Sequence, residues 1–397
     1  MTEIGEILLT LFIMFAAAKA AGELFERIQQ PAVIGELLVG ILLGTLGLIE
    51  HSPVYMVLAE IGAIVLLFQI GLETRASSIF RVGRVASQVA ILGVLLPFFL
   101  GYLIMNGLGH SQSAAMFVGV ALVATSVGIT ARVLHDIGRL RTTEARVILG
   151  AAVIDDVVGM ILLAIVGRAS AGELSWWYIL LLAAEAIIFT LFVSLVGTRA
   201  LRRYGSVLQY LRIRNAPFAV SIIVLLGLSA LSTYIGLAAI IGAFFAGMMF
   251  AETRDQYALE QRVEPLYDFL VPFFFVIMGS LVDVKAFWNT DILLLAIIIT
   301  FIAFVGKLVG CGLGAVGLGW KRALTVGIGM SPRGEVGIIV AMLGLSQGVI
   351  NEDLYGVVVF MVVVTTLLVP PFLKGMFASK EQKETTIVAQ TESAQGE

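Results

Sequence analysis

The sequence predicts an all-α polytopic membrane protein with about thirteen transmembrane helices, built as two inverted six-helix repeats with crossed discontinuous helices. Three observations carry this. The 397 residues are 59% hydrophobic and 13% charged, with a mean hydropathy of +1.01; a soluble domain carries roughly 25% charged residues. The apolar residues fall in continuous runs of ~20, the spanning length of a helix, without the alternation of barrel strands. Two of these runs, seven apart in order, are interrupted by residues that break helices. A bilayer supplies the apolar solvent that such a chain needs, and it obliges the backbone to pair internally.

In order, the segments lie near 4–26, 32–49, 54–72, 86–106, 112–134, 143–167, 175–198, 216–234, 236–252, 264–282, 291–318, 322–347 and 353–377. The chain begins Met-Thr-Glu-Ile-Gly-Glu, acidic where a secretory leader is basic, so the first run is expected to stay as a membrane helix. The connections are short, and residues 1–377 read as one membrane domain. Residues 378–397 read as a short polar cytoplasmic tail, disordered, with no soluble regulatory domain in the chain.

Twenty Lys and Arg residues fall in one alternate set of connections and two, Arg168 and Lys285, in the other. A miscount of one central helix would destroy this asymmetry, so it supports the segment order. The basic side is expected to be cytoplasmic, with the N-terminus outside, the C-terminus inside, and a bacterial cytoplasmic membrane as the setting. The net charge of -3 argues against nucleic acid as a partner. The single cysteine, Cys311, excludes disulfides and cysteine metal sites, and no cofactor is expected. His51, His110 and His135 fall in or near polar connections and read as solvated loop residues.

Three basic residues remain, all inside apolar segments: Lys19, Lys307 and Arg333. Lys19 is expected to snorkel towards the basic side. An ionised side chain at mid-membrane costs roughly 2.5–3.5 kcal/mol on insertion scales and survives when paired or facing water. Asp155 and Asp156 lie at the middle of the sixth segment, and adjacent helix positions point ~100° apart. One carboxylate can therefore meet a neighbouring helix while the other faces an aqueous path. A purely structural hydrogen-bonding role is the plainer alternative, and adjacent acids at that depth suit it poorly. Lys307, mid-segment in the eleventh run, needs an acidic partner or loses its proton. Asp155 is the proposed partner, although spacing alone does not choose between the two aspartates.

The fifth segment carries Ala-Thr-Ser-Val-Gly-Ile-Thr-Ala (124–131), and the twelfth carries Gly-Ile-Gly-Met-Ser-Pro-Arg-Gly-Glu-Val-Gly (327–337). Pro332 removes a backbone donor and its flanking glycines favour unwinding. Half-helix ends and freed carbonyls suit a small cation, with Thr125 and Ser126 adding oxygens. Close interhelical packing is the competing reason for small residues, better suited to the fifth segment than to the twelfth. Arg333 and Glu335 read as supporting charges that satisfy each other or neutralise the ends of the break. An offset of seven reverses the direction of equivalent helices, so segments one to six match eight to thirteen, as alternating access requires.

These motifs, with Ile-Leu-Gly-Ala-Ala-Val-Ile-Asp-Asp-Val (148–157), Pro-Ala-Val-Ile-Gly-Glu-Leu-Leu-Val-Gly (31–40) and Leu-Leu-Phe-Gln-Ile-Gly-Leu-Glu (66–73), resemble NapA-type sodium/proton antiporters of the monovalent cation:proton antiporter superfamily, second branch. The resemblance implies a secondary transporter, not an enzyme, embedded in lipid as a homodimer. It implies dimerisation helices near 4–49 and 216–282, a moving core near 54–167 and 291–377, and a linker helix at 175–198. It assigns Na+ (or Li+) binding to Asp156 with Asp155, a switchable Asp155–Lys307 pair, and Thr125 and Ser126 to the crossing beside the ion. An acidic pair with a lysine on the eleventh helix is the pattern associated with electrogenic members. K+/proton or broad monovalent cation/proton exchange is the alternative, and an organic-anion transporter and a passive channel are weaker rivals. Roles for Gln69 and Glu73 are not legible.

Overall fold

The computed structural model describes residues 3–49, 52–74, 76–170, 215–235, 237–251, 257–281 and 290–395, with scattered positions between 177 and 199. Every regular element among the described residues is helical. The first four segments become α1 (Glu3–Arg27), α2 (Ala32–Thr45), α3 (Pro53–Glu73) and α4 (Ala76–Gly107). The fifth is split into α5 (Gln112–Val123) and α6 (Val127–Asp136), and the sixth is α7 (Thr143–Ser170). The expected seventh segment lies largely outside the described residues, as do His51 and Lys285. There follow α8 (Ala216–Tyr234), α9 (Ala239–Phe250), α10 (Leu259–Ser280) and α11 (Thr290–Gly314). The twelfth segment is split into α12 (Trp320–Gly329) and α13 (Glu335–Ser346), and α14 runs Glu352–Gln395. Among the described residues, eight helical spans are long and apolar enough to cross a bilayer, while α2, α9 and α13 are shorter.

The two interruptions fall where the breaker residues stand. Helix α5 ends at Val123 because Ala124 and Ser126 take extended backbone angles, with ψ of 132° and 97°. Helix α12 ends at Gly329, ahead of Pro332, which has no N–H to continue the ladder. The tail departs from expectation. Residues 378–395 continue α14 as helix; this stretch is rich in Lys, Glu, Gln and Ala, all strong helix formers.

The helices pack as two groups. Helices α1, α2, α3, α8, α9 and α10 form one; α4, α5, α7 and α11 to α14 form the other, and α6 lies between them. Helix α3, grouped by the resemblance with 54–167, lies along α9 and α10. Glycines permit this close approach: a Cβ on Gly71 or Gly247 would run into the facing backbone of α9 or α3 respectively. Gly40 on α2 and Gly279 on α10 meet in the same way.

This second contact is the repeat of the first. Segments two and ten pair as segments nine and three do, which is the relation that an offset of seven demands. The match reaches the sequence: Ala-Val-Ile-Gly-Glu-Leu-Leu-Val-Gly (32–40) aligns with Ala-Ile-Ile-Gly-Ala-Phe-Phe-Ala-Gly (239–247). Gly35 and Gly242, equivalent in that alignment, press on the backbones of α1 and α8.

Candidate functional site

The two helix breaks touch. The Ser126 amide donates to the Pro332 carbonyl at 2.9 Å, and the Thr130 hydroxyl donates to the Gly329 carbonyl at 2.6 Å. Gly334 lies so close to the Ser126 side chain that a Cβ there would collide with it. The crossing therefore depends on residues from both interrupted segments.

Each half-helix that ends at the crossing leaves carbonyls with partial negative charge, and each meets a buried cation. Lys307, fully buried on α11, donates from Nζ to the Val123 carbonyl at the end of α5, at 2.8 Å. Arg333, also fully buried, donates from Nη1 to the Ser331 carbonyl at 3.2 Å and from Nη2 to the Ala303 carbonyl at 3.0 Å. The Thr366 hydroxyl donates to the Arg333 carbonyl, and the Arg333 amide donates to the Thr365 hydroxyl at 3.2 Å. Of the two expected uses of Arg333, end-neutralisation matches these contacts; the Glu335 side chain lies outside the described residues.

Lys307 also donates to Asp155 Oδ1 at 2.8 Å, and only 2% of Asp155 is exposed. Between α7 and α11 there is thus an ion pair removed from water, with the carbonyl end of α5 as the ammonium's second acceptor. Asp156, one residue further along α7, is partly exposed and engaged by its surroundings. The adjacent acids have separated in environment as two neighbouring helix positions allow. Thr125 and Ser126 are both buried in the break, and the Ser126 hydroxyl has no hydrogen-bond partner among the described residues.

A match to known proteins follows the same span. Residues 9–378 fit the family described as "Sodium/hydrogen exchanger, transmembrane". The chain belongs to that family. The high-affinity Na(+)/H(+) antiporter NhaS3 of Synechocystis sp. is 36% identical, covering 95% of this chain and 91% of that one. The Na(+)/H(+)-K(+) antiporter GerN of Bacillus cereus is 34% identical, covering 95% of this chain and 98% of its own. In fold, the chain is similar to the sodium proton antiporter MjNhaP1 of Methanocaldococcus jannaschii, with a TM-score of 0.64 at 16% identity. That superposition covers 94% of this chain and 97% of the other.

Sequence reading missed a second polar cluster at the arginine-rich end. His135 is no solvated loop residue: it occupies the last turn of α6 and lies 3.3 Å from both Glu73 and Asp136. Arg132, near the end of the expected fifth segment, is buried; its Nε donates to Asp136 at 2.9 Å, and its guanidinium lies 4.8 Å from the Tyr267 ring centroid. The cause is the break, because a half-helix restarted at Val127 keeps 132–136 within helix. The Arg132–Asp136 spacing of four residues was the available signal. Lys19 stays exposed and sits over the Phe15 ring.

Proposed function

We propose that the chain is a secondary active sodium/proton antiporter of the cytoplasmic membrane. It takes Na+ or Li+ from the cytoplasm in exchange for external protons, by alternating access at Asp155 and Asp156. The observation that carries this is the Asp155–Lys307 pair, held at 2.8 Å with both groups out of water beside the crossed breaks. A charge pair costs most where it is driest, and a reversible ionic contact there is what cation–proton competition needs.

In the proton-loaded state Asp156 is neutral and Lys307 is held by Asp155. Sodium displaces the Asp156 proton, draws on Asp155 and the Thr125–Ser126 oxygens, and loosens the lysine, which gives up its own proton. The loaded core rocks, and protonation on the far side expels the cation. Two protons for one sodium move one net charge per cycle. A potential of 100 mV then contributes roughly 2.3 kcal/mol, and each pH unit about 1.4 kcal/mol per proton. We assign the arginine-rich end to the cytoplasm, α1, α2 and α8 to α10 to a homodimer interface, and Arg333 to holding the second break.

The name of the Bacillus relative favours a second reading, exchange of K+ or of several monovalent cations. Proteoliposomes holding a proton gradient decide between them. Sodium-dependent dissipation that disappears in Asp156→Asn and responds to imposed potential supports electrogenic sodium exchange. A response to K+ alone moves the assignment to the second reading, and flux without proton movement overturns both.

A further inference from the structure

Among the described residues, the hydroxyls around the crossed breaks divide into committed and uncommitted. Thr125 donates to the Val123 carbonyl at 3.4 Å, Thr130 to the Gly329 carbonyl at 2.6 Å and Ser331 to the Gly327 carbonyl at 2.7 Å. Thr366 donates to the Arg333 carbonyl. Ser126 is as deeply buried as these, at 2% exposure, yet its hydroxyl has no hydrogen-bond partner among the described residues. A buried oxygen left in this way is costly. Its lone pairs suit a cation that has shed water.

That oxygen is also held from two sides. The Ser126 amide is tied to the Pro332 carbonyl at 2.9 Å. Two residues further along the second break, Gly334 stands against the side chain: a Cβ there would lie 2.5 Å from Ser126 Oγ and 2.6 Å from Ser126 Cβ. Gly334 has a φ of -145°, outside the left-handed region, and what its missing side chain supplies is room for Ser126. The wall behind it is firm. Arg333 is fully buried, and α14 fastens its backbone at both ends, the amide donating to Thr365 and the carbonyl accepting from Thr366.

We propose that Gly334 is a specificity-determining residue: by seating Ser126 against the second break it fixes one oxygen for a small monovalent cation, so that Na+ and Li+ are taken in preference to K+. Selectivity among hard cations follows the size of the site, the number of ligands and their rigidity. A pinned oxygen cannot draw back to the longer contact that the larger K+ needs. This assignment rests on the antiport site proposed above. A methyl group at Gly334 would strike Ser126 Cβ as well as Oγ, so turning the hydroxyl about χ1 gives no relief and the breaks must part. The small cations then lose an oxygen, whereas K+ accepts the wider spacing.

Proteoliposomes holding a fixed proton gradient, at constant pH, give an apparent KM for Na+, Li+ and K+ in turn. The wild-type KM should be highest for K+. Ser126→Ala keeps the spacing and deletes the oxygen; it should raise the Na+ KM about tenfold and the K+ KM by no more than about twofold. Gly334→Ala keeps the oxygen and parts the breaks, and should shrink the ratio of K+ to Na+ KM by a similar factor. Gly334→Ala/Ser126→Gly makes room for the methyl group, so its unfolding midpoint should recover while its ratio stays low. A glycine with a packing role alone would move the midpoint and the maximal rate for all three ions together; an unchanged ratio in Gly334→Ala therefore overturns the proposal. A wild-type ratio in Ser126→Ala overturns it as well, and that variant decides if Gly334→Ala does not fold. So does a wild type that takes K+ as readily as Na+. Cation-driven exchange surviving in Asp156→Asn would instead overturn the antiport site, and the ratios in the Ser126 and Gly334 variants would still judge this contact.

Discussion

Lys307 Nζ lies 2.8 Å from Asp155 Oδ1 and the same distance from the Val123 carbonyl, so one ammonium joins the acidic helix α7 to the carbonyl end of α5. Releasing Asp155 does not strand the lysine, because its second acceptor remains. Shedding its proton, however, weakens both contacts together. The state of Lys307 is thereby connected to the geometry of the break as well as to the charge of the acid.

Lys307→Ala should leave Asp155 buried without its cation. Breaking such a pair costs about 3–5 kcal/mol, which thermal unfolding in detergent would record as a lower midpoint. Lys307→Gln retains a donor for Val123 and should unfold at an intermediate temperature. Under the proposed stoichiometry it should also make exchange insensitive to imposed potential. An unchanged voltage response in a folded Lys307→Gln protein would remove the lysine from the proton count.

Asp156 is the more exposed of the two acids, so its loss should affect transport more than folding. Asp156→Asn is expected to abolish exchange with little change in the unfolding midpoint, whereas Asp155→Asn should lower both. In the wild type, each unit of acidification below the site's titration range should raise the apparent KM for sodium about tenfold for one competing proton, and about a hundredfold for two. The direction follows from competition: in acid a proton holds Asp156 and protonated Lys307 holds Asp155, and in alkali both carboxylates are left to sodium. Initial rates across a sodium series at each pH give the slope.

Arg333 supports the second break through the carbonyls of Ser331 and Ala303. Arg333→Met removes those donors and leaves two buried acceptors bare, at a cost of about 1–3 kcal/mol for each group. Arg333→Lys restores charge but cannot spread donors over both acceptors as the planar fork does. The expected order of unfolding midpoints is wild type, then lysine, then methionine. Equal midpoints in all three would show that the break holds without the guanidinium.

The legible part of this molecule was the part written in single residues of extreme cost. Asp155, Asp156, Lys307 and Arg333 stand out because charge is expensive within an apolar run, and Pro332 stands out because glycines flank it, whereas Pro97 and Pro272 stay inside α4 and α10. His135 and Arg132 were illegible for the opposite reason: near a segment end a charged residue is ordinary, and the restart of α6 at Val127 carries helix past the expected end at 134 to include His135. The repeat lay between these cases. Its signal is carried by glycines, which have no side chain for hydropathy to register, and it emerges once Gly71 is seen against Gly247 and Gly40 against Gly279.

That symmetry makes its own prediction. Adding a methyl group at Gly247 or at Gly279 meets facing backbone that cannot swing aside, unlike a flexible side chain. Gly247→Ala and Gly279→Ala should therefore each destabilise the protein by about 1–3 kcal/mol, the range for overpacking. Gly227→Ala, where a Cβ meets nothing within 4 Å, should be neutral or slightly stabilising because it removes a helix-interior glycine. The two contacts share no residue, so the double variant should lose the sum of the single effects within about 0.5 kcal/mol. Thermal unfolding of the four proteins tests both claims. Additivity with a silent Gly227→Ala places the strain at the repeated contacts, and a destabilised Gly227→Ala would show that any added methyl in these helices is harmful.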